Sequence, residues 1–135
     1  MSMLDKDLMK KWNELSSWER IKVIFKLWKM GVDDDDIPRL VPFKKSSLKV
    51  IRRLTKEALA EKIKEMGVEG ITPDMVWEKL DKELISPWTL LDSSVWNDVN
   101  VWRLFSLDDE SFQRELDRIQ AFSNTKVVSA GEYVA

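Results

Sequence analysis

Neither cysteine nor histidine occurs anywhere in the chain. Without cysteine there is no disulfide and no thiolate, and without histidine the commonest general base and metal ligand is missing. Glycine is almost as scarce. Gly31, Gly67, Gly70 and Gly131 are too few and too scattered to form a phosphate-cradling Walker loop or a dinucleotide fingerprint. No apolar run approaches the roughly 20 residues that span a bilayer, and no signal peptide is read. These absences lead to the expectation of a cytoplasmic, non-enzymatic protein with no cofactor, no metal and no membrane contact.

What the chain does have is charge and helical periodicity. Its 135 residues, 44% of them apolar, suffice for one domain, or one domain with an appendage, around an ordinary core. The net charge of −2 hides a division. Residues 1–64 hold 16 Lys and Arg against 10 Asp and Glu, whereas residues 65–135 hold 6 against 14. A basic half beside an acidic half suits a protein that grips nucleic acid with one end and keeps the other for solubility or a protein partner.

Nearly every segment reads as helix. Leu4, Leu8, Trp12 and Leu15 mark a first amphipathic helix, and Ser16 with Glu19 forms a capping box for a second. Along that helix Trp18, Ile21, Phe25 and Trp28 make an apolar stripe, Lys22, Lys26 and Lys29 take the remaining face, and Gly31 is the stop. Over 31–54 the pattern changes to short pieces. Ile37 and Val41 lie on a short helix that begins at Ile37 with Asp36 as its cap, Pro42 and Phe43 break it, and Ser46 or Ser47 caps a third helix. That helix turns Leu48, Ile51 and Leu54 inward and Ser46, Lys49, Arg53 and Lys56 outward, with Lys44 and Lys45 in the turn and Arg52 on the flank. The spacing and the charge together predict a helix-turn-helix whose last helix enters the major groove.

From Trp18 to Leu54 the chain resembles the helix-turn-helix of the resolvase, invertase and transposase type, a homeodomain-like unit: a glycine, a short helix with an inward aliphatic, a turn with an apolar residue, then Ser-Ser-Leu. The resemblance implies that residues at the start of the third helix reach base edges. Here these are Lys45, Ser46, Ser47 and Lys49, with Arg52 and Arg53 deeper or on the backbone. From the helix phase alone, Lys49 and Arg53 face the bases, while Lys44, Lys45, Arg52 and Lys56 contact phosphates.

Beyond Leu54 the helix either runs on through Leu59 and Ile63 or restarts at a Thr55 cap. Thr72 and Pro73 open a helix to Leu84 with Asp74, Glu78, Lys79 and Lys82 outward, a mixed face suited to a scaffold. Trp88, Val95, Val99 and Trp102 fit one stripe, and Ser106 with Asp109 opens a last helix carrying Phe112, Leu116 and Ile119. The tail from Ser123 reads as a short β-hairpin, a strand added to a partner, or an extended trailing end. The expected architecture is all-α: a multi-helix bundle around a helix-turn-helix core, with a basic helical domain over 1–86, a Trp-rich acidic helical extension over 87–122 packed on it, and a tail over 123–135.

Two features stand apart. Seven tryptophans invite base stacking, and Trp96, off the stripe of its neighbours, is the first candidate, though large aromatics at helical spacing usually make core. Asp33, Asp34, Asp35 and Asp36 lack the spread of an EF-hand and read as a solvated acidic helix start. The functional expectation is a DNA-binding protein, a transcription regulator or a replication or mobile-element site binder, acting on double-stranded DNA as monomer or homodimer. Two alternatives remain open: an adaptor using the acidic Trp-rich half, and an accessory bundle gripping single-stranded DNA.

Overall fold

A computed structural model describes the backbone of residues 6–131 and the side chains of residues 9–120. These residues form ten α-helices and two short 3-10 turns, with no strand among them. The first two helices are α1 (Lys6–Glu14) and α2 (Ser17–Lys29). Leu4 lies outside the described residues. Ser16 opens α2 with the expected capping box: its hydroxyl accepts from the Glu19 N–H at 3.2 Å while the Glu19 carboxylate accepts from the Ser16 N–H at 2.8 Å. Gly31, left-handed at φ +88°, ends the helix as expected.

The short pieces that follow depart from the expected capping. The helix α3 (Ile37–Leu40) begins where Pro38 can occupy its first turn, but Asp36 has a helical backbone and makes no side-chain cap. Lys44, not Ser46 or Ser47, occupies the N-cap of α4 (Lys45–Ile51). The Lys44 carbonyl already accepts the Ser47 N–H at 3.0 Å, so the two serines sit inside the first turn, two and three residues past the cap position. A 3-10 turn (Arg52–Leu54) then interrupts the chain, and Thr55 caps α5 (Lys56–Met66) through the Ala58 N–H at 3.3 Å. The restart at Thr55 is therefore the correct alternative. The next helix, α6 (Pro73–Asp81), stops short of Leu84 because Glu83 turns left-handed at φ +58° and the Leu84 N–H reaches back to the Lys79 carbonyl.

The Trp-rich stretch is three short helices rather than one stripe: α7 (Pro87–Leu91), α8 (Ser93–Trp96) and α9 (Val99–Arg103). Ser86, Asp92 and Asp98 each cap the following helix through a side-chain oxygen, and these local bonds restart the helix before a stripe can develop. After a second 3-10 turn (Leu104–Ser106) comes α10 (Asp109–Gly131), capped by Asp108 rather than Ser106, with its carboxylate accepting the Ser111 N–H at 2.7 Å. Through Gly131 the expected hairpin or strand is helix instead. Residues 132–135 lie outside the described residues.

One apolar cluster runs from Trp12 to Leu116, with Trp102, Phe105 and Phe112 its largest fully buried side chains. Lys79, expected on the outer face of α6, is buried. The turn before α10 and the first residue of α10 close over it, and its Nζ donates to the Leu107 carbonyl at 2.9 Å and to Asp109 at 2.7 Å. Lys62 of α5 is buried too and donates to Asn97 Oδ1 at 2.8 Å. Among the described residues every buried side-chain polar atom has a partner, as low-dielectric surroundings require. No described helix is long and apolar enough to cross a membrane.

Candidate nucleic-acid interface

The two faces of α4 divide as the spacing predicts. Leu48, Ile51 and Leu54 are fully buried, and Ser46, Lys49 and Arg53 are exposed on the opposite side. Lys49 and Arg53 form the pole of that face and carry no ion pair among the described residues; Lys44, exposed in the turn before the helix, carries none either. Ser47 is half-buried against the core side.

The remaining cations of the expected set are exposed but engaged. Lys45 pairs with Asp35, Arg52 donates to Asp34 at 2.9 Å, and Lys56 pairs with Asp74 at 2.9 Å. One short acidic segment thus reaches Lys45 at the start of α4 and Arg52 in the turn just after it, seven residues apart, so it runs along one flank of the helix. Each of its carboxylates has a partner. Asp33 accepts the Asp34 N–H at 3.1 Å, Asp34 also accepts the Trp28 indole N–H at 2.6 Å, and Asp36 faces Arg39 at 3.7 Å. The acidic helix start read from the sequence is solvated at Asp33, Asp35 and Asp36, and it also serves as a neutralising strap. Among the described residues no group of three or more carboxylates is placed to hold a metal ion.

Electrostatics follow the pairing. The hydrogen bond from Lys45, then its charge, holds the Asp35 carboxyl below the ordinary 3.8, and the same bond raises Lys45 above the ordinary 10.5. Both stay charged through the neutral range. Exposed pairs of this kind are worth little in water and are screened by salt, so an incoming phosphate can compete for the cation. The outcome is a helix with a free cationic pole and a neutralised flank.

Behind that flank lies an aromatic cluster. Phe25 stacks with Trp28 on one side at 5.6 Å and 28°, and with Trp77 on the other at 5.8 Å and 19°. The Arg52 guanidinium lies over Trp28 at 3.9 Å, and the Lys56 ammonium lies over Trp77 at 4.8 Å. The Trp77 indole N–H donates to the Leu54 carbonyl at 2.8 Å, tying α6 to the turn that follows α4. The three rings are only partly buried and floor a groove of about 640 Å³.

The sequence puts Phe25 and Trp28 on the apolar stripe of α2 and makes Trp96 the first candidate for base stacking. The structure buries Trp96 edge-on against Trp102, whose indole N–H donates to the Trp96 carbonyl at 2.8 Å. Trp88, 42% exposed, is the tryptophan that faces outward. The signal that was available is the Phe25–Trp28 step, one turn apart beside Lys29 at the end of α2.

No family model matches the chain, and no curated protein and no solved structure matches it.

Proposed function

We propose that this chain is a DNA-binding helix-turn-helix protein that acts inside the cell as a transcription regulator or as a marker of a replication or mobile-element site. The observation that supports it is the division of α4 and the 3-10 turn that follows it: three apolar side chains fully buried, and Lys49 and Arg53 exposed at the opposite pole with no ion pair among the described residues. In the major groove those two reach base edges, Ser46 and Lys44 approach from the start of the helix, and Lys45, Arg52 and Lys56 reach phosphates by exchanging their aspartate partners. Fluorescence anisotropy with a labelled random duplex, at low and at physiological salt, tests it. The expected result is binding that weakens steeply with salt and is lost in a Lys49→Ala, Arg53→Ala double variant. Absence of binding at low salt overturns the proposal.

A second reading rests on a different observation. Trp88 stands at the mouth of a groove of about 390 Å³ lined by Val95, Val101 and Leu116 and edged by Asp92 and Asp98. An exposed tryptophan beside an apolar trough with acidic edges is the composition of a protein-interface anchor, which favours an adaptor role for the acidic half. Such an adaptor is indifferent to duplex at low salt, so the same titration separates the two.

A further inference from the structure

We propose that the groove floored by Phe25, Trp28 and Trp77 takes an unpaired nucleotide of a nucleic-acid strand, with the base against the aromatic floor and the phosphate among Lys29, Arg52 and Lys56. The site goes beyond the duplex reading and does not require it: it shares Arg52 and Lys56 with the proposed phosphate contacts, but Lys49 and Arg53, on the exposed pole, do not line this groove.

Three observations carry the assignment. The first is shape. The three stacked rings, each partly open to solvent, make one continuous apolar lining in a groove whose volume of about 640 Å³ lies in the range of small-ligand sites. The second is charge. Arg52 and Lys56 lie over the outer rings, each held by one exposed ion pair, to Asp34 and to Asp74, that a phosphate can replace. Lys29 adds a rim cation with no ion pair among the described residues, and Glu57 is the single carboxylate in the lining. The third is access. A base inside a duplex is stacked on both faces and cannot lie on this floor, whereas an unpaired strand offers both a free base face and a phosphate beside it. The planar Arg52 guanidinium, sandwiched between Trp28 and solvent, is a second surface on which a base can stack.

The seven indole N–H signals of the ¹⁵N-labelled full chain provide the test, assigned by single Trp→Phe variants and followed while a short oligothymidylate is added at low salt. The expected result is movement of the Trp28 and Trp77 signals, with Trp96 and Trp102 unmoved. In a parallel anisotropy titration Lys29→Glu, at an exposed position with no ion pair among the described residues, weakens binding about tenfold or more while the far-ultraviolet spectrum keeps its helical form. The Lys49→Ala, Arg53→Ala variant keeps its affinity for the oligonucleotide, so failure here and failure of the duplex proposal are distinguishable. Unmoved Trp28 and Trp77 signals overturn the assignment. So does equal or larger movement with a blunt duplex in the Lys49→Ala, Arg53→Ala variant, because the groove then responds to backbone charge alone. Loss of oligonucleotide binding in the α4 double variant with no effect of Lys29→Glu places the strand on α4 and likewise overturns it.

Discussion

Arg52 and Trp28 donate to the same oxygen of Asp34, at 2.9 and 2.6 Å, while the guanidinium of Arg52 stacks on the ring of Trp28 at 3.9 Å. This closed triangle joins the end of α2, the acidic segment and the turn after α4. It fixes where the acidic segment lies, and so which cations of α4 are neutralised.

The first prediction concerns that neutralisation. Changing Asp34 and Asp35 together to asparagine keeps hydrogen-bond acceptors in place but removes two charges that compete with phosphate. Duplex affinity should rise, and the slope of log affinity against log salt should steepen by about 1 to 2, since each freed cation adds roughly 0.9. Salt-dependent anisotropy reads both quantities. Unchanged affinity and slope mean that Lys45 and Arg52 never meet the phosphates.

Core and pole of α4 should separate under mutation. Ile51 is fully buried, and Ile51→Ala is expected to cost about 2 to 5 kcal/mol. Lys49→Ala, on the exposed pole, should change stability by no more than about 0.5 kcal/mol. Denaturant unfolding of both variants checks the phase of the helix. Comparable losses at the two positions show that the helix is rotated from the arrangement described.

Lys79 should behave as a core residue despite its charge. Its ammonium satisfies the Leu107 carbonyl and Asp109, and it lies 5.4 Å from the centroid of the Phe112 ring. Lys79→Ala removes the donor and the aliphatic stem together and is expected to cost about 1 to 3 kcal/mol. Lys79→Met restores the stem but not the donor, so its unfolding midpoint should fall between those of wild type and the alanine variant.

Acid should destabilise the fold. Hydrogen bonds from Lys79 and Lys82 hold Asp109 below the ordinary 3.8. At Asp81, burial by itself pushes the carboxyl up, but hydrogen bonds from Lys22 and Trp18 outweigh it and the net shift is downward. A depressed folded value means stability that is present above the unfolded value and lost as pH falls through the folded one. Thermal melts should give a level Tm from neutral pH to about pH 5 and a falling Tm below about pH 4. A Tm that rises on acidification contradicts these pairings.

Much of this was legible in the sequence, and the divisions have physical causes. The 3.6-residue period placed Trp18, Ile21, Leu48, Ile51 and Leu54 inward because a helix must bury one stripe wherever it packs. Ser16 with Glu19 was readable because a capping box is local. The strap over α4 was not. Asp35 and Lys45 are ten residues apart, and Asp34 and Arg52 eighteen, so their meeting depends on the turn geometry between α2 and α4. Lys79 misled for a related reason: period assigns a face, but the turn before α10 decides whether that face meets water. The segment from Ser123 carries β-favouring residues yet continues α10 to Gly131, since lengthening an existing helix avoids the cost of nucleating a new element.

The aromatic packing also has an optical consequence. Trp18 meets Trp77 at 5.1 Å and 85°, and Trp96 meets Trp102 at 5.3 Å and 73°. Indole chromophores this close and this strongly crossed share their excited states, and each pair adds a split ellipticity band in the far ultraviolet beside the amide signal of the helices. One pair joins α2 to α6 and the other joins α8 to α9. The spectrum of this chain therefore carries two packing reporters within the region normally taken to register secondary structure alone, and loosening of the α2–α6 contact registers there without the loss of a helix.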